Sequence, residues 1–369
     1  CHDKPPFVTV IQNSVSLGIP EESAFAPVGI SETCVRERLQ SGSLRDSILL
    51  SEHEEGAMAR RRIGQEELRF AKSGVQRTGS LNEIANLVDW AEIDHHLAPI
   101  YASAKGEQAW PPLALFKALL LAVWHDLSDV KLGEALDDRA SFRRFCGFAA
   151  DEPTPERTTF VRFRRELVAR SLDRVLFEAV TQQLDRRNVL VKTGTLIDAT
   201  VIASASKGKD EEARWVKHRR RPAVHGYKAH VATDAGGDIV RVVEITPANL
   251  NDGKMLAAVL PESPGEVYAD LAYASHANET LIRTSGGVSC LPGRGVWGGE
   301  EALRRLEAWN AAVGHVRRRI EKIFGTCKRS YGLSRMRWIG IAKAGLQVRL
   351  TAIAYNLRRS SVILRGRPA

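Results

Sequence analysis

The sequence predicts a mixed α+β or α/β protein, with a helical N-terminal domain followed by a mixed sheet flanked by helices. Two observations carry that prediction. Apolar residues recur at helical spacing from about Leu81 to Asn188, and near Val189 the period changes to strand-like alternation interrupted by turn residues. The expected boundaries are a helical domain over 58–188, a sheet domain over 189–360 and a tail over 361–369. Residues 1–57 stand apart, with nine acidic against four basic residues, so the rest of the chain carries a net charge of +14. The first methionine, Met58, directly precedes the basic ARRR run, and the expectation is that 1–57 is a disordered or non-native extension.

In the helical part, Pro111 and Pro112 open a helix through Leu115, Leu119 and Val123. Ser128 is placed to cap the next, which is expected to bury Val130, Leu132 and Leu136. Thr154, Pro155 and Glu156 form a helix start, with Thr as cap, Pro at the first helical position and Glu near the positive end of the dipole. The helix that follows sets Arg157, Arg162, Arg164, Arg165 and Arg170 around Phe160, Val161, Phe163 and Leu167. Those arginines suit DNA phosphates, and a solvated basic face on a structural helix accounts for them equally well.

From Val189 the expected order is a strand (VLVKTGTLIDATVIAS), a charged loop, then a hairpin of VHGYKAHVATD and IVRVVEITPAN around AGGD. A short helix with Asp252 as cap, a strand VYADLAYAS and a helix HANETLIRTS come next. This order is that of a ribonuclease-H-like core.

Charge and composition narrow the function classes. A net charge of +9 and a pI near 9.4 imply a polyanionic partner, because clustered Lys and Arg gain affinity from nucleic acid by displacing counterions. Five cysteines without a CxxC pair argue against a zinc module or disulfide framework and fit a reducing cytosol. No segment reaches the roughly 18 apolar residues of a membrane helix. Leu113–Trp124 comes nearest, and it carries Lys117. The expectation is a cytoplasmic protein without a membrane partner.

Three acids stand out against this background. Asp198 and Asp270 interrupt strand-like apolar runs, where a carboxylate is costly to bury without a cation or hydrogen-bond partners. Glu321 lies on a basic helix whose apolar stripe is Val313, Val316, Ile320, Ile323, Phe324 and Cys327. Arg317, Glu321 and Lys328 fall within about 40° of one another beside that stripe. The pattern suggests a divalent-metal site acting on phosphodiesters, while a solvated i,i+4 pair between Arg317 and Glu321 is the simpler account of the helix alone.

The spacing of Arg317, Glu321 and Lys328, three residues and then six, resembles the tail of the Tyr-Arg-Glu-Lys signature of bacterial insertion-sequence transposases of the DDE class. The words LIDATVIAS, HGYKAHVATD, TPANLNDGKML and YADLAYAS agree with it, as do LSDVKLGEALDDRASFRRFCGF and TPERTTFVRFRRELV in the helical part. The resemblance runs from about Met58 to Arg359 and is closest to the branch named after insertion sequence five. Gly314 stands where the signature has Tyr, and Trp309 where it has the Arg before Asn310.

The resemblance implies that Asp198, Asp270 and Glu321 hold two Mg²⁺ ions, with Mn²⁺ as a substitute, which activate a water or a 3′-hydroxyl and stabilise the leaving oxygen. Arg317 and Lys328 would neutralise phosphates. Lys228 and His230 are weaker DNA-contact candidates, ordinary strand polar residues being the favoured account. Trp297, in a glycine-rich segment, is a candidate base-stacking residue, with loop packing favoured. The implied activity is binding of terminal inverted repeats, Mg²⁺-dependent cleavage and strand transfer into target DNA, by a nucleoid-associated bacterial protein working as a homodimer or higher. Two other classes remain: a catalytically silent DNA-binding derivative, and a structure-selective nuclease without strand joining.

Overall fold

The computed structural model describes residues 80–100, 109–217 and 222–366. The expected extension over 1–57, the first part of the expected helical domain (58–79) and the last three residues of the tail lie outside the described residues. Helices α1 (Ser80–Leu87), α2 (Trp90–Leu97), α3 (Pro112–Trp124), α4 (Asp129–Asp138), α5 (Ala140–Cys146), α6 (Arg157–Ala169) and α7 (Leu172–Arg186) come first. Because α3 is apolar on almost every side it must be enclosed, and Leu115, Phe116, Leu120 and Leu121 are fully buried. Ser128 caps α4 as expected, its hydroxyl accepting the Lys131 N–H at 3.3 Å.

Two local expectations change. Val130 is exposed, because Leu132, Ala135 and Leu136 already supply the inward face of α4. Helix α6 begins at Arg157 without a side-chain cap, since Thr154 donates its hydroxyl to Asp137 instead.

The strands are β1 (Gly194–Ala203), β2 (Arg214–Val216), β3 (Val224–Asp234), β4 (Val240–Pro247), β5 (Glu266–Tyr268) and β6 (Val288–Ser289). They form one mixed sheet in the order β2–β3–β1–β5–β6, with β4 also pairing β3. β3 and β4 make the expected antiparallel hairpin, β1 is antiparallel to β3, and β5 and β6 run parallel to β1. A 3₁₀ turn (Asp252–Met255) leads into α8 (Leu256–Val259), and a second (Leu271–Tyr273) precedes α9 (His276–Thr284). Two long helices, α10 (Gly299–Ser330) and α11 (Ile341–Arg365), complete the chain.

Here too the structure corrects the expectation. The strand expected through VYADLAYAS pairs only over Glu266–Tyr268, because Asp270 leaves the ladder to cap the next turn, accepting the Leu271 N–H at 2.7 Å. The turn after β4 is capped by Asn251, which accepts the Gly253 N–H at 2.9 Å, and not by Asp252.

One face of the sheet, with Leu196, Ile202, Tyr227 and Val231, joins Ile320 and Ile323 of α10, α11 and the seven leading helices in one continuous core. The other face packs Ile197, Ala232 and Val267 on Leu256, Val259 and Ile282 of α8 and α9. Helix α11 is buried along most of its length and fastens the halves together. The Trp124 indole N–H donates to the Ala354 carbonyl at 2.8 Å, Arg349 pairs with Asp173 at 2.6 Å, and the Asn356 amide exchanges two bonds with the Val240 backbone, each 2.8 Å.

The Asn356 pair is testable. An Asn356→Leu change leaves a buried N–H and a buried C=O of β4 unpaired, so unfolding free energy in urea is expected to fall by about 2–4 kcal/mol. An unchanged denaturation midpoint would remove this contact from the account of how α11 is held.

Candidate active site

β1 crosses the middle of the sheet, but β5 pairs with it only from Gly194 to Leu196. Beyond Leu196, no strand among the described residues covers that side of β1, and Asp198 stands at the opened edge. Leu196 lies opposite Tyr268, the last paired residue of β5, and Asp270 follows two residues later, near enough for its charge to act on Asp198. Alternation turns Asp198 to the same face as Leu196 and Ile202, the face covered by α10.

Asp198 is 17% exposed, and its two oxygens are divided between two donors. One accepts the Ala199 N–H at 2.8 Å and the other the Arg317 guanidinium at 2.7 Å. Burial pushes its carboxyl up to about 6, against the pull of the Ala199 bond and Arg317, while Asp270 and Asp252 add to the rise. The strand thus carries an acid that is short of compensating positive charge.

Helix α10 supplies part of it. Val313, Ile320, Ile323 and Cys327 are buried, and this apolar face lays the adjoining stripe along the edge of β1. The expected i,i+4 pair forms, Arg317 to Glu321 at 3.4 Å, yet the same guanidinium also bridges to Asp198 119 residues away. Lys328, nearly two turns beyond Glu321, donates to the Val201 carbonyl of β1 at 3.0 Å. Gly325 does not interrupt the helix. Glu321 therefore meets Asp198 through Arg317, and its side chain is 55% exposed.

Of the expected acids, then, Asp270 lies near enough for its charge to act on Asp198, and Glu321 is joined to Asp198 by a shared cation. Among the described residues no group of three or more His, Cys, Asp and Glu side chains is drawn together closely enough to hold a metal ion. The donor chemistry nevertheless fits a divalent cation: hard carboxylates, two of whose charges raise Asp198, beside a guanidinium that a cation would displace.

The remaining candidates separate. Lys228 and His230 are buried, so they do not present their heads to DNA. Lys228 donates to the Leu250 carbonyl at 2.7 Å and pairs with Asp252 at 2.7 Å. His230 shares a hydrogen bond with the Thr246 hydroxyl at 2.9 Å, and burial pushes its ring down to about 4. Arg164 is also buried, gripping Asp129 with two bonds of 2.8 and 2.6 Å and lying over the Trp338 ring, so its charge serves the fold. Arg157, Arg162 and Arg165 of α6 are exposed, as is Trp297, at 99%. Asp252 was read only as a helix cap. The signal against that reading was its neighbour, because Asn251 is a sufficient cap by itself and leaves the Asp carboxylate with another use.

Residues 190–357, which include the three acids, Arg317 and Lys328, match the family described as Transposase DDE domain. Residues 70–166 match the family described as Transposase domain (DUF772). No solved structure matches the chain. The chain therefore carries the domain pair of an insertion-sequence DDE transposase.

The Asp198 carboxyl yields a stability prediction. A pKa raised from 3.8 to about 6 means that the folded state binds the proton more tightly than the unfolded one. Asp198 then costs stability increasingly as pH rises from 3.8, in full above about 6, and costs nothing below the unfolded value. An Asp198→Asn protein without metal is expected to be more stable than the parent at pH 7.5 by up to about 3 kcal/mol. The gain should shrink as pH falls through 6 and vanish near 3.8, as read by denaturant melts across that range. A pH-independent difference would contradict the burial argument.

Proposed function

We propose that the chain is a DNA transposase that binds the terminal inverted repeats of an insertion sequence, cleaves at their ends and joins them to target DNA. The reading follows the branch named after insertion sequence five, with a ribonuclease-H-like sheet as the catalytic core and the leading helices as the recognition domain. The observation that carries it is the bridge of Arg317 from Asp198 to Glu321, formed where β5 has left the edge of β1 and the charge of Asp270 acts on Asp198.

Asp198, Asp270 and Glu321 would hold two Mg²⁺ ions, which when bound supply activation of the attacking oxygen and stabilisation of the leaving one. The protein's own groups do the rest. The three carboxylates act as ligands and not as bases. Arg317, which holds Asp198 in this structure, would stand beside a bound cation with a fork that suits two phosphate oxygens. Lys328 stands farther along the same stripe and contributes a point charge toward the neighbouring backbone. The exposed Arg157, Arg162 and Arg165 would hold flanking phosphates, adding affinity that weakens as salt rises. Two ends must be held together for joining, so the working form is at least a homodimer.

With DNA carrying the inverted repeats that flank the coding region, Mg²⁺-dependent cleavage is expected to fall at least roughly 100-fold in Asp198→Asn, Asp270→Asn and Glu321→Gln. Unchanged cleavage by any one of them removes that residue from the ligand set. Joined products must also form with a target duplex; cut ends alone would make the chain a nuclease. Because Arg317 competes with a cation for Asp198, Arg317→Met is expected to bind Mn²⁺ more tightly, by about tenfold in the DNA-free protein, while cleaving DNA more slowly. Weaker Mn²⁺ binding by this variant would show that Arg317 supports the cation site and does not compete for it.

A further inference from the structure

Asp252 has no capping duty, and its surroundings point to a different one. Its Oδ1 is buried and makes no hydrogen bond, yet lies 2.7 Å from the Lys228 ammonium and 4.0 Å from His230 Nδ1. The side chain as a whole keeps 27% exposure, so the carboxylate is anchored on one side and open on another. Two further polar groups are fully buried and make no hydrogen bond: His230 Nδ1, 4.0 Å from it, and the Tyr273 hydroxyl, on which its charge acts. Burial, and then the charges of Asp252, Asp198 and Asp270, push the Tyr273 hydroxyl upward.

The backbone shows how Asp252 is brought to Asp270. Each acid belongs to a short 3₁₀ turn, and the two turns are clamped together. The Asn278 amide donates both to the Gly253 carbonyl at 3.0 Å and to the Tyr273 carbonyl at 2.8 Å. Gly253 is required by this approach, since a Cβ there would lie 2.3 Å from the Ala272 carbonyl oxygen. Lys228 and His230 project from β3 on the face opposite to Asp198, but between Leu196 and the bridge of Ala203 with Arg335 no strand among the described residues pairs with that side of β1. Across this gap the charges of Asp252 and Asp270 both act on Asp198.

We infer that Asp252 is a fourth carboxylate of the cation-binding cluster, taking a divalent cation together with Asp198 and Asp270, with Lys228 and His230 fixing its orientation. The inference rests on the reading of Asp198 and Asp270 as cation ligands. Lys228 donates along the same line to the Leu250 carbonyl, which holds the ammonium in place while the carboxylate turns its other side to the cleft. Tyr273 offers a hydroxyl to whichever carboxylate oxygen or bound water the cation leaves free.

The test is Mn²⁺ binding to the full chain without DNA, counted from the free-ion paramagnetic resonance signal. Wild type, Asp198→Asn, Asp252→Asn and the double variant Lys228→Met with Asp252→Asn are compared. The double variant removes the buried ammonium that Asp252→Asn alone would strand, so it keeps the test independent of a folding defect. Asp252→Asn and the double variant are each expected to lose at least about tenfold in Mn²⁺ affinity. If both bind Mn²⁺ as the wild type does while Asp198→Asn is weakened, Asp252 is excluded from the cluster and the reading of Asp198 stands. If Asp198→Asn also binds normally, or the wild type shows no site, both fall.

Discussion

A carboxylate in the middle of a sheet must be compensated, and much of the architecture around β1 follows from how Asp198 is. Its burial pushes the carboxyl up to about 6, so the ion is held in a place where water does not solvate it well. Arg317 is the compensation the protein carries itself, and it comes from a helix more than a hundred residues later. For the guanidinium to arrive, α10 must be straight, long and laid along β1, which its buried stripe from Val313 to Cys327 achieves. Helix α10 is therefore both a wall of the core and the arm that carries Glu321, Arg317 and Lys328 to one strand.

The position of α10 depends in turn on the hairpin between β3 and β4. Asp234 at its tip accepts the Lys192 N–H at 2.8 Å, and Asp238, at a positive φ of 59°, pairs with Arg319 of α10 at 2.7 Å and Arg359 of α11 at 3.1 Å. A turn that sequence explains by local backbone preference thus also sets the spacing of the two long helices. Arg349 of α11 then reaches Asp173 of α7, so the helical half is fastened to the sheet through buried charge pairs as well as apolar packing. Breaking one member of such a pair costs more than the pair contributes, which favours a single arrangement of the halves.

Much of this was legible in the sequence because it depends on local period and chemistry. The change from helical to alternating spacing near Val189, the Ser128 cap and the stripe of α10 all reappear in the structure. What was not legible depends on contacts between distant segments. Arg164 was indistinguishable from its exposed neighbours until Asp129 and Trp338 enclosed it. Lys228 and His230 lie in a strand covered on both faces, a property set by α8 and its turn and not by the strand's own alternation. Asp270 read as a strand residue because its flanks are apolar, whereas the ladder ends at Tyr268 and the acid becomes a cap.

The end of that ladder gives the site its form. Had β5 paired with β1 through Asp270, both acids would have been enclosed among strands with their backbones satisfied, and no cation could approach them from the edge. Because pairing stops at Leu196 and Tyr268, the chain after β5 forms a 3₁₀ turn that Asn278 ties to the earlier turn before α8, each turn carrying an acid. The cost of the missing ladder bonds is offset by the caps that Asp270 and Asn251 provide. Short pairing is thus the condition under which acidic side chains from β1, from two turns and from α10 can meet at one open edge, each held by a different element and each with a cation or a backbone donor as partner.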